Sequence, residues 1–233
     1  MRRDVFERLM AARADKRPVA LVTDLPAGYQ SLVFADEVDA NGPAADVVAA
    51  ARAALQSGIS GIFERSDGTR AFLHVFNPPL RLFLVGAVHI TQALAPMASM
   101  LGYGVTVIDP RRAFTTPARF SDVRVMERWP DAALADERLD ARSAVVTLTH
   151  DPKLDDPALA SALRSEAFYI GCLGSRRTHA RRLERLRAAG FDDAALARLH
   201  GPVGLDIGAR SPGEIATSIL AQMTAILRRG AAP

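Results

Sequence analysis

Residues 81–110 read RLFLVGAVHITQALAPMASMLGYGVTVIDP. RLFLV, at 81–85, is a short apolar run of the kind expected for a strand buried on both faces. Gly86 ends it. From His89 to Leu101 the side chains of Ile90, Leu94, Met97 and Leu101 return on one side, which is helical spacing. Pro96 falls inside this helix and is expected to kink it. Residues 105–108 are again strand-like, and Asp109 follows them. Strand, glycine turn, helix and strand make a βαβ unit, the connection that parallel strands require.

The same grammar runs on downstream. Strands are expected at 123–126, 144–148 and 168–172, with helices at 157–164 and 175–189. The last helix opens on Ser211-Pro212-Gly213-Glu214, a capping box with proline at the first helical position. Ile215, Ile219, Leu220, Met223, Ile226 and Leu227 then line one face. The alternation predicts an α/β domain, a Rossmann-like doubly wound parallel sheet with helices on both faces. In strand order 3-2-1-4-5 the first and fourth strands are neighbours, and ligands bind where the order reverses, beyond the strand ends.

Upstream the pattern differs. Val5, Phe6, Leu9 and Met10 form a helical stripe that ends before Pro18, and 19–22 and 31–34 are short strand candidates. Residues 44–55 are Ala-rich and helical up to Gly58. Strands at 59–63 and 71–76 flank Ser66-Asp67-Gly68, a hairpin turn signal. Asn77-Pro78-Pro79 then stiffens the chain and removes donors. These residues divide the chain into a small N-terminal α+β domain at 1–77 and the Rossmann-like domain at 78–233.

Composition narrows the function classes. The formal net charge of +3 is too small to announce a nucleic-acid partner, so local clusters matter more than the total. Arginine supplies nearly all the positive charge, and its planar fork suits phosphate and carboxylate. Cys172 is the single cysteine, which rules out an intrachain disulfide framework and fits a reducing cytoplasm. The N-terminal stretch is amphipathic and broken by charge, unlike a signal peptide, and no run reaches the ~18 apolar residues of a membrane span. A soluble cytoplasmic protein with no membrane partner is expected.

Three strand ends carry candidate chemistry. At VGAVHI, Gly86 and the start of the next helix have the geometry that brings an anion onto helix amides. Asp109, about 23 residues on, stands where dinucleotide folds place a ribose-binding acid. Val88, however, occupies the position where the fingerprint requires a second glycine, so the spacing supports the fold and argues against NAD(P). At TLTHDPKLDDP, 147–157, His150 and Asp151 follow the fourth strand and are expected to share one crevice with His89. Two histidines and a carboxylate could ligate a metal or shuttle a proton, although an Asp-Pro turn alone accounts for the same residues. No metal site and no catalytic residue is assigned.

At YIGCLGSRRTHARR, 169–182, Gly171 and Gly174 flank the strand end and Ser175 can cap the next helix. Arg176 and Arg177 lie in its first turn, where cations oppose the helix dipole unless an anion sits there. Arg181, Arg182, Arg185 and Arg187 read as a solvated face. Cys172 could carry sulfur, though a lone cysteine among apolar neighbours is more often core. GPVGLDIGARSPGEI, 201–215, reads either as a further backbone anion site or as a tight corner.

Four pieces together resemble one family: VGAVHITQALAPMASMLGYGVTVIDPRRAF, LTHDPKLDDPAL, FYIGCLGSRRTHARRLERL and GPVGLDIGARSPGEIATSILA. They are similar to the C-terminal domain of the xanthine dehydrogenase accessory protein family (XdhC/CoxI). The resemblance implies a cytoplasmic carrier, more chaperone than enzyme. Such a carrier binds molybdenum cofactor (molybdopterin), holds it during sulfuration and delivers it to a xanthine dehydrogenase-type apo-enzyme. A cysteine desulfurase is the second implied partner, and a homodimer is an open assembly state. Gly86, His89, Asp109, His150, Asp151, Gly171, Gly174, Ser175, Arg176 and Arg177 are the implied cofactor-binding residues. Two features depart from the family: Gly86-Ala87-Val88-His89 replaces a common Gly-x-Gly-His, and no cysteine-containing glycine-rich segment precedes Cys172. An NAD(P)-dependent oxidoreductase and an interaction module without a ligand are the alternatives.

Overall fold

A computed structural model describes residues 2–37 and 42–229, and the chain divides into units at Met1–Pro78 and Pro79–Pro233. In the first unit α1 (Arg3–Ala14), β1 (Val19–Asp24), β2 (Gln30–Phe34), α2 (Ala45–Ser57), β3 (Gly61–Glu64) and β4 (Arg70–Phe76) follow one another. The strands pair antiparallel in the order β2-β1-β4-β3. β1 is central, and its apolar run VALV is explained by burial on both faces. Ala20 and Val22 pack with Val47, Ala51 and Leu55 of α2, while Val19 and Leu21 pack with Val5, Leu9 and Ala12 of α1. β3 starts two residues later than the expected 59, because the hairpin register pairs Glu64 with Arg70 and Gly61 with Leu73. Asp67 closes that turn, accepting from the Thr69 amide at 2.8 Å.

The second unit runs β5 (Arg81–Val85), α3 (His89–Met100), β6 (Gly104–Ile108), β7 (Arg124–Met126), α4 (Pro130–Glu137) and β8 (Ser143–Thr147). It continues with α5 (Pro152–Leu163), β9 (Tyr169–Cys172), α6 (Arg176–Ala188), α7 (Asp193–Leu196), β10 (Leu199–His200) and α8 (Pro212–Arg229). The parallel sheet has the order β10-β9-β8-β5-β6-β7, the expected 3-2-1-4-5 with an added edge strand. Alternation in β5 sends Leu82 and Leu84 to one face, against α3 and α8, and Phe83 and Val85 to the other, against α4, α5 and α6. Val85 is level with both Ile108 and Thr147, so the loops after β5, β6 and β8 open side by side.

Some boundaries move. α5 begins at Pro152 rather than 157, since Asp151 caps it and proline at the first helical position loses no needed donor. α3 continues through Pro96, which is exposed. α4, α7 and β10 are too short to show a period, and all three escape a reading by pattern. Leu94 is fully buried between α3 and the sheet. Leu94→Ala is expected to cost about 2–5 kcal/mol of stability, measured by urea unfolding.

Candidate functional site

The loops after β5, β8 and β9 interlock. Gly86 has φ 110°, and a Cβ placed there would come 2.5 Å from Thr149 Cγ2. Glycine is required by the approach of the neighbouring loop, independently of any ligand. The Gly86 carbonyl accepts from Thr91 Oγ1, and the Ala87 amide donates to Asp109 Oδ2 at 2.9 Å. Asp109 is fully buried and also accepts from the Arg111 amide, Nε and Nη2 at 2.8–2.9 Å. Burial opposes its charge, but the Arg111 and Ala87 donors outweigh it and hold the carboxyl below the ordinary Asp range. Asp109 therefore braces the first turn from below and does not reach the surface where a ribose would lie. Val88 precedes α3 and packs on the core, leaving His89 exposed.

After β8, Thr149 Oγ1 donates to Asp155 Oδ1 at 2.6 Å and accepts from the Asp151 amide at 3.0 Å. Asp151 Oδ1 in turn caps α5 by accepting from the Lys153 amide at 3.0 Å. His150, between them, is exposed with φ 61°, a left-handed conformation uncommon outside glycine. His150 lines a cleft between α5 and α6, and His89 does not. Among the described residues no three or more His, Cys, Asp or Glu side chains are placed to hold a metal ion.

After β9 the outcomes divide. Gly171 is interior: a Cβ there would come 2.5 Å from Val203 Cγ2 and 2.8 Å from the Tyr169 ring, so it serves packing and does not face the strand-end surface. Gly174, at φ 142°, turns the chain into α6, and Ser175 Oγ caps the helix by accepting from the Thr178 amide at 3.1 Å. Arg176 and Arg177 are exposed in the first turn; Arg177 lines the cleft and Arg176 does not. Arg182 overturns the solvated-face reading. It is only 2% exposed, donates from Nη2 to the Leu173 carbonyl at 2.9 Å, and lies 3.7 Å from Asp155 Oδ2. Its Nε and Nη1, and Asp155 Oδ2, have no hydrogen-bond partner. Burial pushes the Asp155 carboxyl up from its ordinary range, against the Thr149 hydrogen bond and the Arg182 charge.

The spacing held a signal for this. Arg182 stands four residues before buried Leu186 on α6, and Asp155 lies between buried Leu154 and Ala158 on α5, so each charge shares an inward face. The outer arginines are explained otherwise: Arg185 pairs with Asp156 at 2.5 and 2.9 Å, and Arg187 with Asp193 at 3.0 Å.

Residues 201–205 form the tight corner. The Val203 amide donates to the Cys172 carbonyl, Gly204 to Gln222 Oε1 and Leu205 to the Ser218 carbonyl. Glu214 closes the capping box, accepting from the Ser211 and Arg210 amides at 2.8 Å. Cys172 is fully buried, 3.6 Å from His179 Nδ1, and burial pushes its thiol up to about 11. It is core. At pH 8 alkylation of Cys172 by iodoacetamide is expected to be far slower in native than in unfolded protein, followed by mass spectrometry. Its native rate should rise only as pH nears about 11, where the thiolate forms.

These features define a Rossmann-type domain whose strand-end face lacks the dinucleotide glycine pattern and carries arginines instead. The model of the XdhC Rossmann domain matches residues 82–223, and the chain belongs to that family. The uncharacterized protein YqeB of Escherichia coli (strain K12) is 35% identical over 152 residues, 65% of this chain and 28% of YqeB. The molybdenum cofactor insertion chaperone PaoD of the same strain is 30% identical over 151 residues, 65% of this chain and 41% of PaoD. A probable xanthine dehydrogenase subunit of Bacillus subtilis (strain 168) is 31% identical over 162 residues, 69% of this chain and 47% of that one. The chain thus aligns with less than half the length of each of these relatives. A crystal structure described as a xanthine dehydrogenase from Bacillus halodurans shares the fold, with a TM-score of 0.59 at 20% identity over 94% of this chain and 93% of that chain. Among the described residues no helix is long and apolar enough to cross a membrane.

Proposed function

We propose that this chain binds molybdenum cofactor, protects it during sulfuration and delivers it to a xanthine dehydrogenase-type molybdenum hydroxylase. It acts as a cytoplasmic carrier rather than an enzyme, with a cysteine desulfurase as sulfur donor and a homodimer as its assembly. The observation that carries this reading is the arginine-rich edge where β9 enters α6, in a domain of the XdhC family. The relatives named as a molybdenum cofactor insertion chaperone and as a probable xanthine dehydrogenase subunit support the pathway.

The residues present fit a ligand with an anionic end. Partnerless guanidinium nitrogens on buried Arg182 and the exposed cations of α6 favour one. Ser175, Arg176 and Arg177 would hold that end beside the Gly86 and Gly174 turns, while His89, His150 and Asp151 would face the pterin. When bound, the cofactor supplies the redox centre of the recipient hydroxylase; this chain's own groups only hold and shield it. A nicotinamide dinucleotide fits worse, because Val88 stands where the pyrophosphate must approach and the Asp109 carboxylate is buried and engaged.

Equilibrium dialysis tests the reading. The wild type is expected to bind molybdenum cofactor, and Arg176→Ala with Arg177→Ala to weaken binding by about tenfold or more. No binding by the wild type, with and without the apo-hydroxylase, leaves only an interaction module. Nicotinamide cofactor at sub-millimolar concentration is expected to leave the Tm unchanged, and a clear rise would revive the oxidoreductase reading.

A further inference from the structure

We propose that the cleft between α5 and α6 is a phosphate-monoester site, with Arg177, Arg181 and buried Arg182 as its cationic wall. The cleft encloses about 210 Å³. That is below the ~300–1,000 Å³ of pockets that hold a whole drug-sized ligand, so it suits the anionic end of a larger molecule.

The charges do not balance from within. Arg185 is matched by Asp156, but among the described residues neither Arg177 nor Arg181 has a carboxylate partner. The two stand four residues apart on α6, a spacing at which like charges repel. Beside them Arg182, 2% exposed, keeps Nε and Nη1 without a hydrogen-bond partner. A buried guanidinium left in this state is unfavourable. Among the described residues its acidic partner is Asp155, which lies at 3.7 Å, beyond a hydrogen bond, and burial already disfavours the charge on that carboxyl. The first turn of α6 carries no acid, so its amides and dipole add to the positive field. A phosphate dianion offers what is missing: charge, and planar pairs of oxygens that match the guanidinium fork.

This extends the anion-binding surface of Ser175, Arg176 and Arg177 deeper along α6, to Arg181 and Arg182. Assigning the phosphate to a pterin cofactor rests on the reading above. The cleft and its charges do not.

Isothermal titration calorimetry with inorganic phosphate, at matched ionic strength in chloride, tests the site. Wild type is expected to bind. Arg177→Ala with Arg181→Ala, both exposed and so compatible with folding, should weaken binding by about tenfold or more. Arg187→Ala, whose partner is Asp193, should leave it unchanged. Arg182→Lys, which keeps the charge but loses the fork, should also weaken it. A parallel titration with a nucleoside monophosphate identifies the source: equal affinity points to a bare monoester, and tighter binding to a nucleotide end. No phosphate binding, or binding indifferent to Arg177 and Arg181, overturns the proposal. Phosphate bound here without any molybdenum cofactor binding would sink the carrier function and leave the site standing. Molybdenum cofactor bound by a wild type that takes up no phosphate would do the reverse.

Discussion

Thr149 is the point at which the strand-end loops are locked together. Its methyl occupies the space a side chain on Gly86 would need, and its hydroxyl donates to Asp155 while accepting from the Asp151 amide. Asp155 faces Arg182, and Arg182 holds the Leu173 carbonyl at the end of β9. The turn after β5, the start of α5 and the turn into α6 are therefore coupled through one small set of buried polar atoms. Such atoms in a low-dielectric interior tolerate little displacement, because each lost partner leaves an uncompensated group.

The lock also explains the unusual character of the face above it. A dinucleotide site needs an open glycine turn and an acid reaching out of the second strand. Here Thr149 takes the space beside Gly86, Val88 packs on the core, and Asp109 points inward to the Ala87 amide. The positive charge is instead concentrated on α6, partly at the surface and partly beneath it. The strand-end face thus presents guanidinium groups where a dinucleotide fold presents a backbone cradle.

Much of the architecture was legible in the chain. RLFLV, the helical stripe of Ile90, Leu94 and Met97, and the Ser211–Glu214 capping box each carry their own local physics: burial on two faces, a 3.6-residue period, and satisfied helix amides. α4, α7 and β10, of eight, four and two residues, show no readable period of their own. The candidate site was legible in its loops but not in its depth. Asp109 and Gly171 read as ligand-binding and Arg182 as part of a solvated face, and all three are interior.

What the sequence determined by itself was the alternation of strands and helices, and with it the parallel sheet, the switch point and the loops that end on it. Those follow from local periodicity and from the connections parallel strands permit. Only the tertiary structure decided which polar groups stay at the surface and which brace the fold. Arg181 and Arg182 are adjacent in the chain, yet one is exposed and the other 2% exposed. Helical spacing puts Arg182 on the face of Leu186, but that it meets Asp155 of α5 at 3.7 Å is a distance between elements that no spacing along one element contains.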